Sequence, residues 1–483
     1  MARPLSDGDF AMSRAARAAR AIAWCATAVA VAACDAAFDP PPPPPPPVAV
    51  VHVTPDSGAV VAGETLQLSV TLQDSTGATI TRTVTWSSLD TMIVRVSTTG
   101  AVRGVNAGLG AVVATAEGKA DTAKVSVLPV TFVTVTAGGT HTCALANNQR
   151  AFCWGYNFYG QTGTGTFAFV FSSPVVTAGG LLFTAISAGG DHSCALVSGG
   201  ALYCWGRNTS SQLGLPGVPG NQHTPQLVYG SIVFHEASAG SQHSCGVAAD
   251  STAYCWGHNT YGQAGEGSQV FHPNPWPVSG GTHYRMLSAG SFHTCAVTAG
   301  DAVFCWGANG VGNLGDSTYF NRPVPTPIAG IMSFLTVSAG EDHTCGIATD
   351  LTAWCWGGNA RGQVGSGQVD STVPAPAAVA GGLTFRQLDA GGAHTCGIAA
   401  DSSAVCWGIN DRGQLGDSST TDRHVPAPVA GGHKFLQISA GVQHTCGTAT
   451  DGRVYCWGSG TSGELGTGLL NDSSVPVVVA GQP

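Results

Sequence analysis

The pattern His-Ser/Thr-Cys, nine residues and then Cys-Trp-Gly occurs seven times in this chain of 483 residues. A unit that recurs every 50 or 51 residues predicts a repeat architecture in which each copy packs on its neighbours. Within each copy, short apolar runs separated by Gly and Asn turns indicate four strands, which is the content of one propeller blade. The copies begin at His141, His192, His243, His293, His343, His394 and His444.

The composition agrees with an all-β class. The chain contains 67 Gly and 27 Pro but only 10% charged residues, which suits a turn-rich β protein better than a helical one. The formal net charge is -9, and from residue 131 onward ten Lys plus Arg face eighteen Asp plus Glu. Such a surface repels phosphate backbones, so we expect no nucleic-acid partner.

The N-terminus has the pattern of an export signal. Arg14, Arg17 and Arg20 precede the short apolar run 21–33, which is too short to span a bilayer as a mature helix. The run Val31-Ala32-Ala33-Cys34 resembles the bacterial lipobox, which implies that residues 1–33 are a lipoprotein signal peptide and that Cys34 carries the lipid. The alternative is an ordinary signal peptide with an incidental cysteine.

Residues 34–47 are predicted to be a lipid anchor and linker. The eight prolines at 40–47 form a polyproline II rod of roughly 25 Å, at about 3.1 Å per residue. We expect this rod to hold the folded part away from a membrane, although proline-rich segments can also bind aromatic grooves. The expected location is the cell envelope, periplasmic or at the surface, with the lipid as the only membrane contact.

Residues 48–128 alternate apolar and polar positions in short runs, which predicts a small β-sandwich. The pieces Gly63-Glu64-Thr65-Leu66-Gln67-Leu68, Val84-Thr85-Trp86-Ser87-Ser88 and Gly100-Ala101-Val102-Arg103-Gly104-Val105 resemble the group 2 bacterial immunoglobulin-like family. The resemblance implies an immunoglobulin-like domain with Trp86 as its core aromatic residue. In that family such domains are spacers or adhesive modules, and both roles stay open here.

Residues 131–483 resemble the regulator of chromosome condensation repeat family. The resemblance is carried by His394-Thr395-Cys396, by Cys406-Trp407-Gly408-Ile409-Asn410-Asp411-Arg412-Gly413-Gln414-Leu415-Gly416 and by the cognates of these strings. It implies a closed seven-bladed propeller, whereas WD and kelch repeats lack this string. The sequence leaves open whether the strand near Val133 or the tail near Val477 closes the ring.

Two positions of the motif vary between copies. Gly460 stands where the other copies have Asn, and we expect a left-handed backbone at this position. Asn313 and Glu464 replace the usual Gln, which argues against a role that needs the amide in every blade.

The cysteine spacing predicts one disulfide in each blade. With an odd number of residues in the hairpin loop, the two cysteines of a copy lie directly opposite each other, within disulfide reach. The alternatives are a zinc site that includes the neighbouring histidine and a free nucleophilic cysteine, which an oxidising compartment and complete pairing argue against. The predicted pairs are Cys143 with Cys153, Cys194 with Cys204, Cys245 with Cys255, Cys295 with Cys305, Cys345 with Cys355, Cys396 with Cys406 and Cys446 with Cys456.

No catalytic constellation is evident. A histidine or tryptophan repeated once per blade is expected to be a structural element, because an active site needs asymmetry among the blades. The sequence contains no phosphate-binding loop, nucleophile elbow or recurring carboxylate pair. We therefore expect no enzyme activity, no cofactor and no metal.

Asymmetry occurs in the segments between Gly-Gln-Leu-Gly and the outer strand, which emerge from one edge of every blade and form the candidate binding face. Aromatic residues together with Arg have the composition of interface hot spots, although the same rings could fill gaps over the blade edges. The candidates for partner contact are Phe169, Phe171, Phe271, Trp276, Tyr319, Phe320 and Arg322.

The function that these features favour is a non-catalytic, monomeric scaffold that binds a protein or a glycan at the cell envelope. A guanine-nucleotide exchange-like regulator, as in the family namesake, is one alternative. The export signal, the acidic surface and the cysteines argue against that alternative. A proteinaceous enzyme inhibitor is the other, because one branch of the family resembles secreted β-lactamase inhibitors.

Overall fold

The computed structural model describes residues 43–330, 332–368 and 370–482. The predicted signal peptide at 1–33, the predicted lipid site at Cys34 and the first three prolines of the linker lie outside the described residues. Residues 43–47, the rest of the proline run, are exposed and form no strand. Within the described ranges every regular element is a strand, and no helix could cross a bilayer.

The N-terminal domain is a β-sandwich of ten short strands. They form three sheets, in the orders β1-β4-β5, β2-β10-β9-β6 and β3-β8-β7. Alternating residues of these strands bury one apolar core, against which Trp86 packs as a half-buried side chain. The strands are β1 Val50–Thr54, β2 Ser57–Val61, β3 Thr65–Gln67, β4 Ser69–Gln73, β5 Thr79–Ile80, β6 Thr85–Ser88, β7 Val94–Val96, β8 Ala101–Gly104, β9 Gly108–Ala116 and β10 Lys119–Leu128.

The remaining strands form seven four-stranded antiparallel sheets, one for each repeat. In every blade the four strands are consecutive in the chain, and the first lies innermost. The blades are numbered from the N-terminus. Blades 1 to 3 are β11 Phe132–Ala137, β12 His141–Ala146, β13 Ala151–Tyr156 and β14 Val170–Val176; β15 Phe183–Ala188, β16 His192–Val197, β17 Leu202–Gly206 and β18 Gln222–Leu227; β19 Phe234–Ala239, β20 His243–Ala248, β21 Ala253–Gly257 and β22 His272–Pro277.

Blades 4 to 7 have the same organisation. Their strands are β23 Tyr284–Ala289, β24 His293–Thr298, β25 Val303–Gly307 and β26 Arg322–Pro327; β27 Phe334–Ala339, β28 His343–Ala348, β29 Ala353–Gly358 and β30 Thr372–Ala378; β31 Phe385–Ala390, β32 His394–Ala399, β33 Ala404–Gly408 and β34 Arg423–Pro428; β35 Phe435–Ala440, β36 His444–Ala449, β37 Val454–Gly458 and β38 Ser473–Val478.

The hairpin between the second and third strands sets the cysteine register. Cys143 pairs directly with Cys153, and the hydrogen bond from the Ala146 amide to the Arg150 carbonyl leaves a three-residue loop. The odd loop length is therefore as predicted, and all seven blades repeat this register. The sulfurs of each predicted pair lie 2.06–2.12 Å apart, with Cα–Cα distances of 4.0–4.1 Å, so each blade contains one disulfide.

The ring closes without strand exchange. Val133 lies on the innermost strand of blade 1 and Val477 on the outermost strand of blade 7, so neither crosses to another blade. The first strands of blades 1 and 7 are joined by side-chain bonds: the Gln437 amide bridges the backbone N–H and C=O of Val135 at 2.9 and 3.0 Å. Closure thus uses the same kind of lateral contact that joins the other blades.

The alternation of strand directions gives the propeller two distinct faces. The turns between first and second strands and the long loops between third and fourth strands share one face, which we call the loop face. The turns between second and third strands lie on the opposite face. There Glu64 of the N-terminal domain forms an ion pair with Arg150 of blade 1. The N-terminal domain therefore contacts the propeller on the face opposite the loop face.

Candidate functional site: the loop face of the propeller

The seven histidines form one closed hydrogen-bond circuit between blades. Each Nε2 lies 2.8–2.9 Å from the Ser or Thr hydroxyl of the next blade, and His444 of blade 7 reaches Thr142 of blade 1. Each hydroxyl donates to a main-chain carbonyl of the preceding blade, at 2.8–3.0 Å. Because the hydroxyl proton is used in this bond, Nε2 must be the donor in the histidine bond. The tautomer of every histidine in the circuit is thereby fixed.

These histidines are neutral and inaccessible. All seven have 0% exposure, and burial lowers the pKa of each from 6.5 to about 3 or about 4. Their Nδ1 atoms have no hydrogen-bond partner. Within the described ranges no three His, Cys, Asp or Glu side chains are grouped in a way that could hold a metal ion. A buried, neutral imidazole with a fixed Nε2 proton packs the blades together and has no access to a substrate.

The variable Gln position acts through its main chain. In each blade the carbonyl of this residue accepts two hydrogen bonds from the next blade, one from the hydroxyl of the circuit and one from the indole Nε1–H of Cys-Trp-Gly. The Gln161 carbonyl, for example, accepts from Ser193 at 3.0 Å and from Trp205 at 2.9 Å. Every such Trp has 0% exposure. A main-chain acceptor needs no particular side chain, which explains why Asn313 and Glu464 are tolerated there.

The expected left-handed backbone at the Asn position is wrong. Neither these Asn residues nor Gly460 have a positive φ. The Asn side chain instead braces the loop: Asn309 Oδ1 accepts the Leu314 N–H at 3.0 Å, and its Nδ2 donates to the Thr318 carbonyl at 3.0 Å. Hydrogen-bonding capacity, rather than backbone freedom, is therefore what selects Asn there.

The structure separates the predicted partner-contact residues into two groups. Four lie exposed on the loop face; they are Phe169 of blade 1, Phe271 of blade 3, and Tyr319 and Phe320 of blade 4. The other three lie elsewhere or are engaged. Phe171 is half-buried between blades 7 and 1, Trp276 lies on the outer rim stacked on His272 at 5.1 Å, and Arg322 is ion-paired with Asp316 at 2.8 Å.

Phe169 belongs to an aromatic cluster that the sequence alone did not reveal. The blade-1 cluster consists of Tyr156, Phe158, Tyr159 and Phe169. Phe158 stacks on Phe169 with ring centroids 5.7 Å apart and meets Tyr159 edge to face at 5.0 Å. Arg207 of blade 2 lies 5.1 Å from the Tyr159 ring centroid. Phe158 and Phe169 remain 50% and 64% exposed, so the cluster offers an apolar surface to solvent.

A second cluster surrounds Phe271. The blade-3 cluster consists of His258, Tyr261, Phe271 and Phe292. The His258 ring lies 4.8 Å from Phe271 and 5.8 Å from Phe292, which in turn meets Tyr261 at 5.5 Å. Tyr261 and Phe271 are 39% and 45% exposed. Burial lowers the pKa of His258, which favours its neutral form within an apolar surface.

Three of the missed residues occupy two variable positions beside the invariant motif. Tyr156 and His258 directly follow Cys-Trp-Gly, where the other blades have Arg, Ala, Gly, Ile and Ser. Phe292 directly precedes the circuit histidine, where the other six blades have Thr, Ala, two Asp and two Gln. Variation next to an invariant structural residue was therefore the available signal.

The loops that carry Phe169 and Phe271 lack a side-chain cap that other blades have. Four blades place an Asn or Asp side chain at this point of the loop. Its Oδ1 accepts the N–H of the motif Asn or of Gly460 at 2.9–3.1 Å; the four residues are Asn221, Asn321, Asp422 and Asp472. Blade 1 uses the main-chain carbonyl of Phe169 for this bond instead. Blade 3 thus has the exposed ring of Phe271 at the cap position, and blade 1 leaves the ring of Phe169 exposed because a main-chain carbonyl makes the capping bond.

Comparisons with known proteins agree with this architecture. The family model described as regulator of chromosome condensation (RCC1) repeat matches residues 148–196, 199–247, 250–297, 301–347, 405–447 and 451–483, and a second model of the same repeat matches seven segments between 132 and 464. The model of the bacterial Ig-like domain (group 2) matches residues 47–127.

Similar proteins share the repeat but differ in overall length. The chain is 33% identical over 31% of its length to the human probable E3 ubiquitin-protein ligase HERC4 and 31% identical over 29% to the Arabidopsis thaliana ultraviolet-B receptor UVR8. These matches span only 14% and 32% of those proteins. The yeast RCC1 (Prp20) structure solved with bound Kap60 has a TM-score of 0.63 at 21% identity, covering 68% of this chain and 83% of that one. This chain therefore belongs to the family of regulator of chromosome condensation repeat proteins, with a group 2 bacterial Ig-like domain before its propeller.

Proposed function

We propose that this protein is a non-catalytic binding protein that captures a polypeptide partner on the loop face of its propeller. We further propose that it acts in the cell envelope, anchored through a lipid at Cys34. Seven disulfides and the N-terminal sequence pattern support an oxidising compartment. The fold supports a binding role, because a propeller of this fold is known in complex with another protein.

The observation that carries the proposal is the exposure of Phe169 and Phe271 in loops that lack the side-chain cap of four other blades. In those four blades an Asn or Asp satisfies a main-chain N–H. The two exposed phenylalanines contribute no side-chain hydrogen bond to the fold, and each adds apolar surface next to another aromatic ring. Both rings lie on the face that the N-terminal domain leaves uncovered. Exposed aromatic clusters in such a position are typical of partner-binding surfaces.

The cluster geometry favours a polypeptide over a glycan. Three of the seven ring contacts in the two clusters are edge to face, including Phe158 with Tyr159 at 88° and Tyr261 with Phe292 at 71°, and two more are tilted. Sugars stack on open ring faces flanked by free polar groups. Here the nearby guanidinium of Arg207 is already ion-paired with Asp191 at 3.1 Å. Irregular apolar surfaces of this kind fit side chains of a protein partner better.

The substitution Phe169→Asn with Phe271→Asn tests the proposal, because it removes both exposed rings and gives blade 3 the polar side chain that caps this loop in four other blades. We expect this variant to keep or raise the urea midpoint of unfolding while losing binding. The probe is a phage-displayed library of random peptides, panned on the non-reduced full chain. Peptides enriched on the wild-type protein should bind the variant at least tenfold more weakly.

The rim variant Trp276→Ser is the matched control, since Trp276 is 48% exposed but lies away from the loop face. It should bind the same peptides as the wild-type protein does. Equal capture by the wild-type protein and the Phe169→Asn/Phe271→Asn variant would refute the proposal. The proposal would also be refuted if the wild-type protein retained glycans but no peptide.

A further inference from the structure

The propeller axis opens on the loop face as a small cavity of about 140 Å³, which we call the axial mouth. Its wall is the set of seven turns that follow the innermost strands. Each turn begins Ala-Gly, and the glycine is required by close approach: a Cβ on Gly138 would lie 2.4 Å from the Gly189 carbonyl oxygen of the next blade. Among the lining residues, Glu341 is the only one with an ionisable side chain.

The carbonyls of the seven axial glycines are already hydrogen-bonded. The amide that follows each axial glycine donates to the glycine carbonyl of the next blade at 3.0–3.2 Å, and the bond from Val442 to Gly138 completes the circle. These seven carbonyls are therefore engaged within the wall itself. Its chemical character at the rim comes from the carboxylate of Glu341 and from its neighbour Asp342.

Glu341 and Asp342 have no cationic partner among the described residues. Burial raises the pKa of both carboxyls, and the charge of Asp342 raises that of Glu341 further. Several other acids of the loop face are paired with arginine at 3.1–3.3 Å; these are Asp191, Asp422 and Asp472. The rim beside blade 5 therefore has uncompensated negative charge, which a cation from a partner would stabilise.

This acidic rim adjoins the blade-3 cluster. Phe292 of that cluster follows Ser291, whose N–H donates at 3.1 Å to the carbonyl of Gly340, the residue before Glu341. An exposed apolar surface and an unpaired acidic pair thus lie on neighbouring turns of the same ring. Resting on the proposed function, we infer that the partner presents a polypeptide segment in which a Lys or Arg lies next to an apolar side chain. The cation contacts Glu341 and Asp342, and the apolar side chain contacts the blade-3 cluster.

The composition of the selected peptides tests this inference. Peptides enriched on the wild-type chain should carry Lys or Arg next to an aromatic or aliphatic residue, and their affinity should fall as the salt concentration rises. The variant Glu341→Gln/Asp342→Asn should weaken their binding at least tenfold. The control Asp370→Asn/Asp411→Asn removes the same charge from exposed loop-face positions outside the mouth and should change affinity less than twofold.

The two proposals fail in different ways. Suppose that the enriched peptides depend on Phe169 and Phe271. If they are neutral or acidic, or if they bind the Glu341→Gln/Asp342→Asn variant as tightly as the wild-type chain, this inference is overturned while the proposed function stands. If no peptide distinguishes the wild-type chain from the Phe169→Asn/Phe271→Asn variant, the proposed function fails and the inference fails with it. A urea midpoint for each variant establishes that it is folded.

Discussion

Mild acid should destabilise this propeller steeply, because its histidine circuit cannot accept protons while folded. The folded-state pKa of each circuit histidine is about 3 or about 4, against an ordinary value of 6.5. Below pH 6.5 the unfolded chain therefore binds protons that the folded chain excludes. The stabilisation is fully present above pH 6.5 and is lost as the pH falls towards the folded-state pKa.

The magnitude follows from the number of histidines. Each contributes about 1.4 kcal/mol per pH unit below 6.5, so seven contribute on the order of 10 kcal/mol per unit. Five carboxyls with raised pKa, those of Glu236, Glu341, Asp342, Asp389 and Glu464, act in the opposite direction and offset at most five of the seven. The net loss is then at least about 3 kcal/mol per pH unit, which over two pH units is comparable to the whole stability of a typical domain.

The assay is urea unfolding of the non-reduced chain at several pH values between 7 and 5. The informative variant is His343→Gln, whose amide can still donate to Thr395 but cannot titrate. It should lower stability at pH 7 and reduce the pH slope by about 1.4 kcal/mol per unit. His283→Gln, at an exposed position, should leave the slope unchanged. A free energy of unfolding that stays level from pH 6.5 to 5 would show that the reasoning is wrong.

Two further predictions concern contacts between blades. Burial raises the pKa of Glu236 from 4.5 to about 7, so its favourable contribution to folding stability is present below pH 4.5 and is lost as the pH rises to 7. Glu236→Gln should therefore stabilise the chain by up to about 3 kcal/mol at pH 8, and an equal gain at pH 4 would contradict this. Thr395→Val removes the hydroxyl between His343 and the Gln363 carbonyl and should cost about 1–3 kcal/mol in urea unfolding. Thr395→Ser, which keeps the hydroxyl, should cost less than 1 kcal/mol by the same reasoning.

The repeat made the fold predictable at the level of a single blade. An odd hairpin loop fixes which residues face each other, so the opposition of Cys143 and Cys153 followed from spacing alone. The contacts between blades could not be read in the same way. The acceptor for the Trp205 indole is a main-chain carbonyl 44 residues earlier, and a carbonyl leaves no mark in the sequence. For the same reason the Asn position was misinterpreted, because its partners are loop amides and carbonyls.

The candidate surface was only partly predictable because exposure depends on strand direction and on ring closure. Phe169 and Phe171 differ by two positions, yet the first ring is 64% exposed and the second packs between blades 7 and 1. Knowing which side of the outer strand meets blade 7 requires knowing how the ring closes. Arg322 could have been set aside from the sequence, because its acidic partner Asp316 lies six residues earlier and Asp417 and Arg423 repeat that spacing.

The way the blades are joined explains how one face can diversify without loss of the fold. Every interblade bond of the circuit uses a histidine, a hydroxyl, an indole and a main-chain carbonyl, all of which lie beneath the loop face. The side chains directly after Cys-Trp-Gly and directly before the histidine take no part in that circuit. These positions can therefore vary between blades at little cost in stability, and they are where Tyr156, His258 and Phe292 lie. A ring of nearly identical units thus acquires an asymmetric surface where its own assembly imposes no requirement, which is the physical reason that we place the proposed partner on the loop face.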